Sequence, residues 1–295
     1  MYQEDTIYPN LNITFMNKNE FKNFFKPYAQ NVDKANKLKF WELSDKLVTQ
    51  IIKNNVSSEL SEDTTILDAG GGTGRWACDL ASIYKSDFLV YDLSEDMLSK
   101  ATENIKKRKL ENRVKTIHGD LSDMSEIKSN SVDVIVSIYS PLSFVYNPEE
   151  ASKELCRILK PGGVMIIMAH SYYNAIDSKI NNYLAEAGEL DELNKTRKVK
   201  WAPHVPDLYT YSAEDMKKLF ENTGLEEVAA HGVPVFVRPG PEDWDPENEK
   251  ISRISESLQS EKFFNKVFEL EMEHNSKPGV VNRGMNIFSV FKKNN

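Results

Sequence analysis

From residue 64 onward the apolar positions follow two alternating rhythms. TTILDA (64–69), DFLVYD (87–92), RVKTI (113–117), VDVIVSI (132–138) and VMIIMAH (164–170) are short apolar runs of the kind that form buried strands. Between them apolar residues recur at helical spacing, beginning with Trp76, Ala77, Leu80, Ile83 and Tyr84. Ser94 is placed to cap a helix with Glu95 and Asp96 in its first turn and Met97, Leu98, Ala101 and Ile105 on its inner face. In NPEEASKELCRILKPGG (147–163) the ends are written out: Asn147 caps, Pro148 takes the first helical position, and Pro161-Gly162-Gly163 is expected to stop the helix. Strands alternating with helices of this length predict the α/β class, a doubly wound, mostly parallel sheet with helices on both faces. Such sheets bind ligands at the carboxyl ends of their strands.

The remainder departs from this rhythm. Residues 172–211 read as an aromatic-rich insertion, a helix over 212–224 returns to the core, and strands near 226–237 and 285–291 form a closing pair. An acidic, helical excursion over about 246–274 separates those two strands. The expected organisation is an N-terminal helical cap over 1–60, with Phe21, Phe24, Phe25, Tyr28 and Trp41 as its apolar content. A main domain over 61–295 follows, with lid-like insertions at about 172–211 and 240–280.

Composition narrows the class. At 40% hydrophobic residues the chain can build a real core, no stretch approaches the length of a membrane span, and MYQEDTIYPN lacks the regions of a signal peptide. A soluble, cytoplasmic protein is the expectation. Cys78 and Cys156 fall in separate predicted helices, which offers neither a disulfide framework nor a metal cluster. With 45 acidic against 37 basic side chains the net charge is −8, the wrong sign for affinity built on phosphate neutralisation, so nucleic acid is disfavoured as a partner. The basic run KKRK (106–109) sits where a helix ends and complements its dipole.

The candidate chemistry begins at ILDAGGGTGRWACDLA (66–81), with four glycines within five residues. A phosphate-binding loop needs a lysine followed by Ser or Thr at the helix start, and Arg75-Trp76 stands there instead. A dinucleotide fingerprint can be laid on Gly72, Gly74 and Ala77, but Asp68 at the end of the first strand would repel a pyrophosphate and attract a cation. Asp92 ends the second strand and Asp120 follows the third, so three carboxylates lie at three successive strand ends.

The stretch DAGGGTG (68–74) resembles the D-x-G-x-G-x-G motif of class I S-adenosylmethionine-dependent methyltransferases, and the small-molecule branch in particular. That resemblance implies a Rossmann-like methyltransferase fold and S-adenosylmethionine as cofactor. It also implies roles: Asp68 with the main chain at Gly70 and Gly72 for the methionyl amino group, Asp92 for the ribose hydroxyls, and Leu93 and Met97 packed on the nucleoside. Asp120 and the main chain of Leu121 would address the adenine, Ser137 would lie by the methionyl part, and Tyr28 resembles an N-terminal tyrosine that reaches the cofactor. No metal is implied. The motifs cover roughly 60–171 and leave the segments that shape an acceptor site undiagnosed.

Methyl transfer is largely a matter of alignment, with a general base required only for some acceptors. His170, at the end of the fifth strand, and His204, on the insertion, are the base candidates, while His118 reads as structural. The loop SIYSPLSF (137–144) lacks the paired prolines of nucleic-acid amino methyltransferases. Tyr139, Phe144, Tyr146, Tyr172, Tyr173, Trp201, Tyr209 and Tyr211 supply aromatic surface near the expected acceptor side, consistent with a small, partly apolar acceptor. Two alternatives stay open: a methyltransferase acting on protein or RNA, and a non-catalytic cofactor-binding module. A homodimer is compatible with either.

Overall fold

The computed structural model describes residues 24–26, 29, 38–56, 60–202, 205–244 and 250–295. Phe21, Tyr28 and His204 lie outside these residues. The first described helix is α1 (Lys39–Val56), followed by β1 (Thr65–Ala69), α2 (Arg75–Ala81), β2 (Asp87–Asp92), α3 (Glu95–Lys107), β3 (Val114–His118) and β4 (Val132–Ser137). Then come α4 (Pro148–Ile158), β5 (Leu159–His170), α5 (Tyr172–Asn181), α6 (Ala187–Thr196), β6 (Lys198–Val199), β7 (Leu208–Tyr209), α7 (Ala213–Glu221) and β8 (Leu225–Val233). The chain closes with α8 (Arg253–Ser257), α9 (Glu261–His274), α10 (Pro278–Val281) and β9 (Asn286–Lys293). Among the described residues seven strands form the main sheet, in the order β3-β2-β1-β4-β5-β9-β8. The first five run parallel, and β9 is antiparallel to both β5 and β8. This is the doubly wound, mostly parallel architecture, with its order reversing between β1 and β4.

Both faces of the sheet are covered because the strand residues alternate into two apolar layers. Ile66, Val134 and Ile166 point to one layer with Trp76, Leu80 and Leu98, and Leu67, Ile135 and Ile167 point to the other with Leu155, Ile158, Leu219 and Phe220. Helix α1 belongs to the first layer: Phe40, Leu43, Leu47, Ile51 and Val56 share its core. Helix α1 therefore covers part of this face of the sheet and shares its apolar stripe with the helices that precede β9, through Leu258 and Phe264.

Local signals set most element ends. Ser94 accepts from the Met97 N–H at 3.3 Å, Asn147 accepts from Glu150 N–H at 3.2 Å, and Ser212 and Asp215 close a reciprocal capping box on α7. Two expectations are corrected. Helix α2 ends at Ala81, leaving Ile83 exposed. Pro161-Gly162-Gly163 does not stop α4; the chain turns extended at Leu159, which pairs with Val132, and the next paired residues are Val164 and Val134. The proline and glycines thus occupy a bulge inside β5, where the extra residues need backbone freedom.

The acidic excursion is tied back to the sheet. The Trp41 indole N–H donates to the Asp243 carbonyl at 2.7 Å, Phe40 N–H donates to Ser255 Oγ at 3.1 Å, and Ser255 Oγ donates to Asp243 Oδ1 at 2.5 Å. Glu271 of α9 is fully buried and accepts from the main-chain N–H of Val235, Phe236 and Val237 at 2.7, 2.8 and 3.1 Å. Glu271→Ala leaves those donors without an acceptor and is expected to cost about 3 kcal/mol or more in urea unfolding, with Glu271→Gln recovering part of the loss.

Candidate active site

The carboxyl ends of β1, β2 and β4 meet where the strand order reverses, and the glycine turn crosses that point. Gly70, Gly72 and Gly74 all have positive φ. At Gly70 the requirement is also one of space, because a Cβ would lie 2.3 Å from Pro141 Cβ, so the turn presses directly on the loop that follows β4. Gly70 N–H and Gly71 N–H both donate to the Tyr91 carbonyl, at 2.8 and 3.1 Å.

Asp68 is 2% exposed, and its Oδ2 accepts from the Ala77 N–H at 3.1 Å. Gly74, the residue before α2, has no side chain to cap that helix, so the carboxylate of the preceding strand does it. Burial pushes Asp68 up to about 7, the Ala77 N–H offsets this in part, and the Asp92 carboxylate adds to the rise. Asp92 is also raised, chiefly by burial, although its Oδ2 accepts from Gly72 N–H at 2.9 Å and its Oδ1 from Ser94 N–H at 2.8 Å. Two carboxylates, each raised by desolvation and one of them further raised by the other, lie beside a turn open at Gly72, where an added Cβ would meet only Met97 Sδ at 3.9 Å. A cation would relieve that repulsion and a diol could donate to Asp92, so the donor set fits a positively charged nucleoside.

The other nominated residues distribute around this pair. Met97 and Leu121 are buried, Leu93 is half-buried, and the Leu93 carbonyl lies 3.0 Å from Nε2 of the exposed His118. Asp120 is half-buried; its Oδ1 accepts from Ser122 N–H at 2.9 Å and its Oδ2 from the Tyr146 hydroxyl. Ser137 is fully buried, and its hydroxyl donates across the sheet to the Ala69 carbonyl at 2.8 Å, so its side chain serves the β1–β4 junction. His170 stands half-buried at the end of β5, its ring centroid 6.2 Å from that of Phe144, which in turn packs against Phe24 and Phe25 at 6.3 and 5.0 Å. Desolvation draws the imidazole down to about 4, so it is neutral near pH 7.

Of the nominated aromatics, Phe144 faces His170, whereas Tyr172, Tyr209 and Tyr211 are core and Tyr173 is exposed. Tyr139 does something the sequence gave no sign of. Its hydroxyl bonds Asp45 of α1, and Asp45 also takes Arg75 in a two-point ion pair, Nη1 to Oδ2 at 2.6 Å and Nη2 to Oδ1 at 3.3 Å. The Arg75 guanidinium lies 4.9 Å from the Trp76 ring centre and 5.4 Å from that of Tyr139. This knot joins α1, the first residue of α2 and the loop after β4. Asp45 lies 30 residues from Arg75 and 94 from Tyr139, and nothing in its local sequence distinguishes it from a solvated helix residue.

Residues 66–163 match the model of a family described as a methyltransferase domain. The chain is 26% identical over 171 residues to tRNA 5-carboxymethoxyuridine methyltransferase of Escherichia coli, covering 58% of this chain and 63% of that protein. It is 34% identical over 116 residues to demethylmenaquinone methyltransferase of Leptospira interrogans, covering 39% and 45%. The chain thus spans less than two thirds of the length of either relative. Among solved structures, geranyl diphosphate C-methyltransferase from Streptomyces coelicolor, determined with S-adenosyl-L-homocysteine, has the same fold, with a TM-score of 0.53, 11% identity, and coverage of 84% of this chain and 80% of that one. Residues 66–163 are thus similar to methyltransferase domains, and both relatives are methyltransferases. The sulfonium and ammonium of S-adenosylmethionine are charges of the sign that the buried pair Asp68 and Asp92 would accommodate.

Asp45→Ala leaves the Arg75 guanidinium, whose side chain is only 15% exposed, with only the longer pairing to Asp79 at 3.8 Å, and is expected to destabilise the fold by about 3 kcal/mol in denaturant titration. Arg75→Met in the Asp45→Ala background should recover part of that loss, because the poorly compensated buried charge is gone.

Proposed function

We propose that the protein is an S-adenosylmethionine-dependent methyltransferase that moves a methyl group to an O, N or C atom of a small, partly apolar acceptor. One arrangement carries this reading: a carboxylate-lined side (Asp68, Asp92, Asp120) and an aromatic-lined side (Phe24, Phe25, Phe144, with His170) meet where Gly70 presses on Pro141. The bound cofactor supplies an electrophilic methyl on a sulfonium. The chain supplies placement and exclusion of water, which is most of what an in-line displacement asks of a protein.

Asp68 would hold the ammonium, with Gly70 and Gly72 letting the main chain come close; Asp92 would take the ribose hydroxyls; Asp120 and the Leu121 main chain would address the adenine; and Leu93 and Met97 would pack on the nucleoside. Ser137 would contribute through the main chain it holds rather than through its hydroxyl, which is already given to Ala69. Tyr28 is a further candidate outside the described residues. His170, neutral near pH 7, would accept a proton from an acceptor hydroxyl or ammonium; its low basicity suits a proton shed as the new bond forms rather than one removed beforehand. In domain terms, residues 172–211 would act as the lid.

The similarity to the tRNA 5-carboxymethoxyuridine methyltransferase of Escherichia coli supports a second reading, with RNA as acceptor. The net charge of −8 opposes it. With methyl-labelled S-adenosylmethionine, a cell extract split into small molecules and bulk tRNA separates the two: label is expected in the small-molecule fraction, and label carried by RNA would overturn the proposal.

Cofactor binding has a pH signature. Asp68 keeps its proton to about pH 7 in the folded chain, whereas an unfolded carboxyl loses it near pH 4, so this site lowers stability as pH rises through that window. A bound ammonium holds Asp68 ionised and releases the proton. Allowing for an ammonium that itself titrates near 7.8, calorimetric affinity for S-adenosylmethionine is expected to strengthen about fivefold from pH 6 to pH 7.5. Asp68→Asn should bind more weakly and lose the rise. Asp92→Ala should weaken binding at least about tenfold, and NAD should give no heat; binding of NAD in place of S-adenosylmethionine would defeat the assignment of the turn.

A further inference from the structure

The loop that follows β3 is held from two sides. On the sheet side the Tyr91 hydroxyl of β2 is shared between the carbonyls of Asp120 and Asp123, at 3.2 and 3.3 Å. Gly119 permits this approach, since a Cβ there would lie 2.0 Å from the Tyr91 hydroxyl oxygen. On the helix side, Met124 N–H donates to Glu154 Oε2 at 2.8 Å, Arg157 Nη2 donates to the Met124 carbonyl at 2.8 Å, and Ser122 Oγ donates to the Asn147 carbonyl at 3.4 Å. The main chain from Asp120 to Met124 is thereby tied both to β2 and to α4.

One side chain crosses this seam to the Asp120 carboxylate itself. Tyr146 stands immediately before Asn147, the cap of α4, and its half-buried side chain donates its hydroxyl proton to Asp120 Oδ2. Ser122 N–H holds the other oxygen, Oδ1, at 2.9 Å. The terminal torsion of an aspartate is broad, so a bond to one oxygen alone leaves the plane of the group loosely defined. A second donor on the other oxygen, carried by a residue anchored at a helix start, fixes it. A carboxylate accepts at about four positions, so an orienting bond and a bond from a ligand amino group can share one oxygen.

We propose that Tyr146 is a positioning residue of the adenine subsite: it holds the Asp120 carboxylate in the orientation that accepts from an exocyclic amino group, and so sets a preference for a 6-amino over a 6-oxo purine. This rests on the reading of Asp120 and the Leu121 main chain as the adenine contacts. Adenine offers a donor at its amino group and an acceptor at the neighbouring ring nitrogen, and hypoxanthine offers the reverse. A carboxylate beside a main-chain N–H matches the first base and opposes the second. Such a site rejects the mismatched base most strongly when its polar groups cannot turn away, and holding Asp120 in place is the part played by Tyr146. Tyr146 acts through Asp120 and does not itself touch the base.

The test is calorimetric, on the full chain, with S-adenosylhomocysteine and its hypoxanthine analogue S-inosylhomocysteine. The wild type is expected to prefer the adenine compound by about a hundredfold or more. Tyr146→Phe keeps the ring and deletes only the oxygen; it is expected to cut that preference about fivefold, mainly by weakening S-adenosylhomocysteine. In an Asp120→Ala background the same change should have no further effect, because the group that Tyr146 orients is gone. An unchanged preference in Tyr146→Phe would overturn the proposal and reduce the hydroxyl to a tie between α4 and the loop. A further loss of affinity in the Asp120→Ala background would overturn it too, by making Tyr146 a direct contact of the nucleoside. The underlying reading fails by different results, seen in the wild type itself. Absence of binding removes the cofactor, absence of discrimination removes Asp120 as the adenine contact, and either takes the proposal with it.

Discussion

A carboxyl group buried at the point where the sheet reverses its strand order is the constraint on which the rest of the site depends. Asp68 cannot be solvated there, so it takes the one main-chain donor within reach, the Ala77 N–H, and thereby caps a helix that a glycine could not cap. Close fit follows from this: a Cβ on Gly71 would sit 2.7 Å from the Asp68 Cγ, so the turn lies directly on the carboxyl. The charge is under-compensated all the same. Asp92 adds repulsion, and Arg75, the nearest cation, is committed to Asp45. A helix start is thus built around a carboxyl whose ionised form is under-compensated.

The commitment of Arg75 carries the constraint outward. Asp45 holds Arg75 and Tyr139 together, so the helix start after the glycine turn and the loop after β4 are fixed by one residue of α1. Helix α1 is itself bound to the excursion between β8 and β9 through Trp41, Asp243 and Ser255. The excursion is anchored at its far end by Glu271 under the chain leaving β8. Segments more than 200 residues apart therefore share one mechanical frame with the strand ends.

What was legible in the sequence was what physics makes local. The caps at Ser94 and Asn147, the inner face of α3, and the strand periods depend on residues within one or two turns, and they fell where the pattern placed them. Pro161-Gly162-Gly163 misled because the same residue types that end a helix also permit a bulge, and pairing of Leu159 with Val132 decided between them. The stripe of α1 showed that it needed a partner but not which one; the sheet and the helices before β9 share it. Ser137 looked available at a strand end, yet the parallel neighbour β1 supplied a carbonyl within reach. Asp45 and Tyr139 were not nominated for the roles they play, since each matters through a partner about 30 or more residues away.

Asp68 also shows why a capping role and a ligand-binding role need not compete. Its hydrogen bond from Ala77 runs through Oδ2 alone, and one bond from a neutral N–H leaves the carboxyl at about 7. Had the protein satisfied both oxygens, the group would be ionised and content, with little to gain from a ligand. With one oxygen used, the helix is capped while the carboxyl keeps an electrostatic gain that a cation beside it would realise. Such a charge would also offset the repulsion from Asp92.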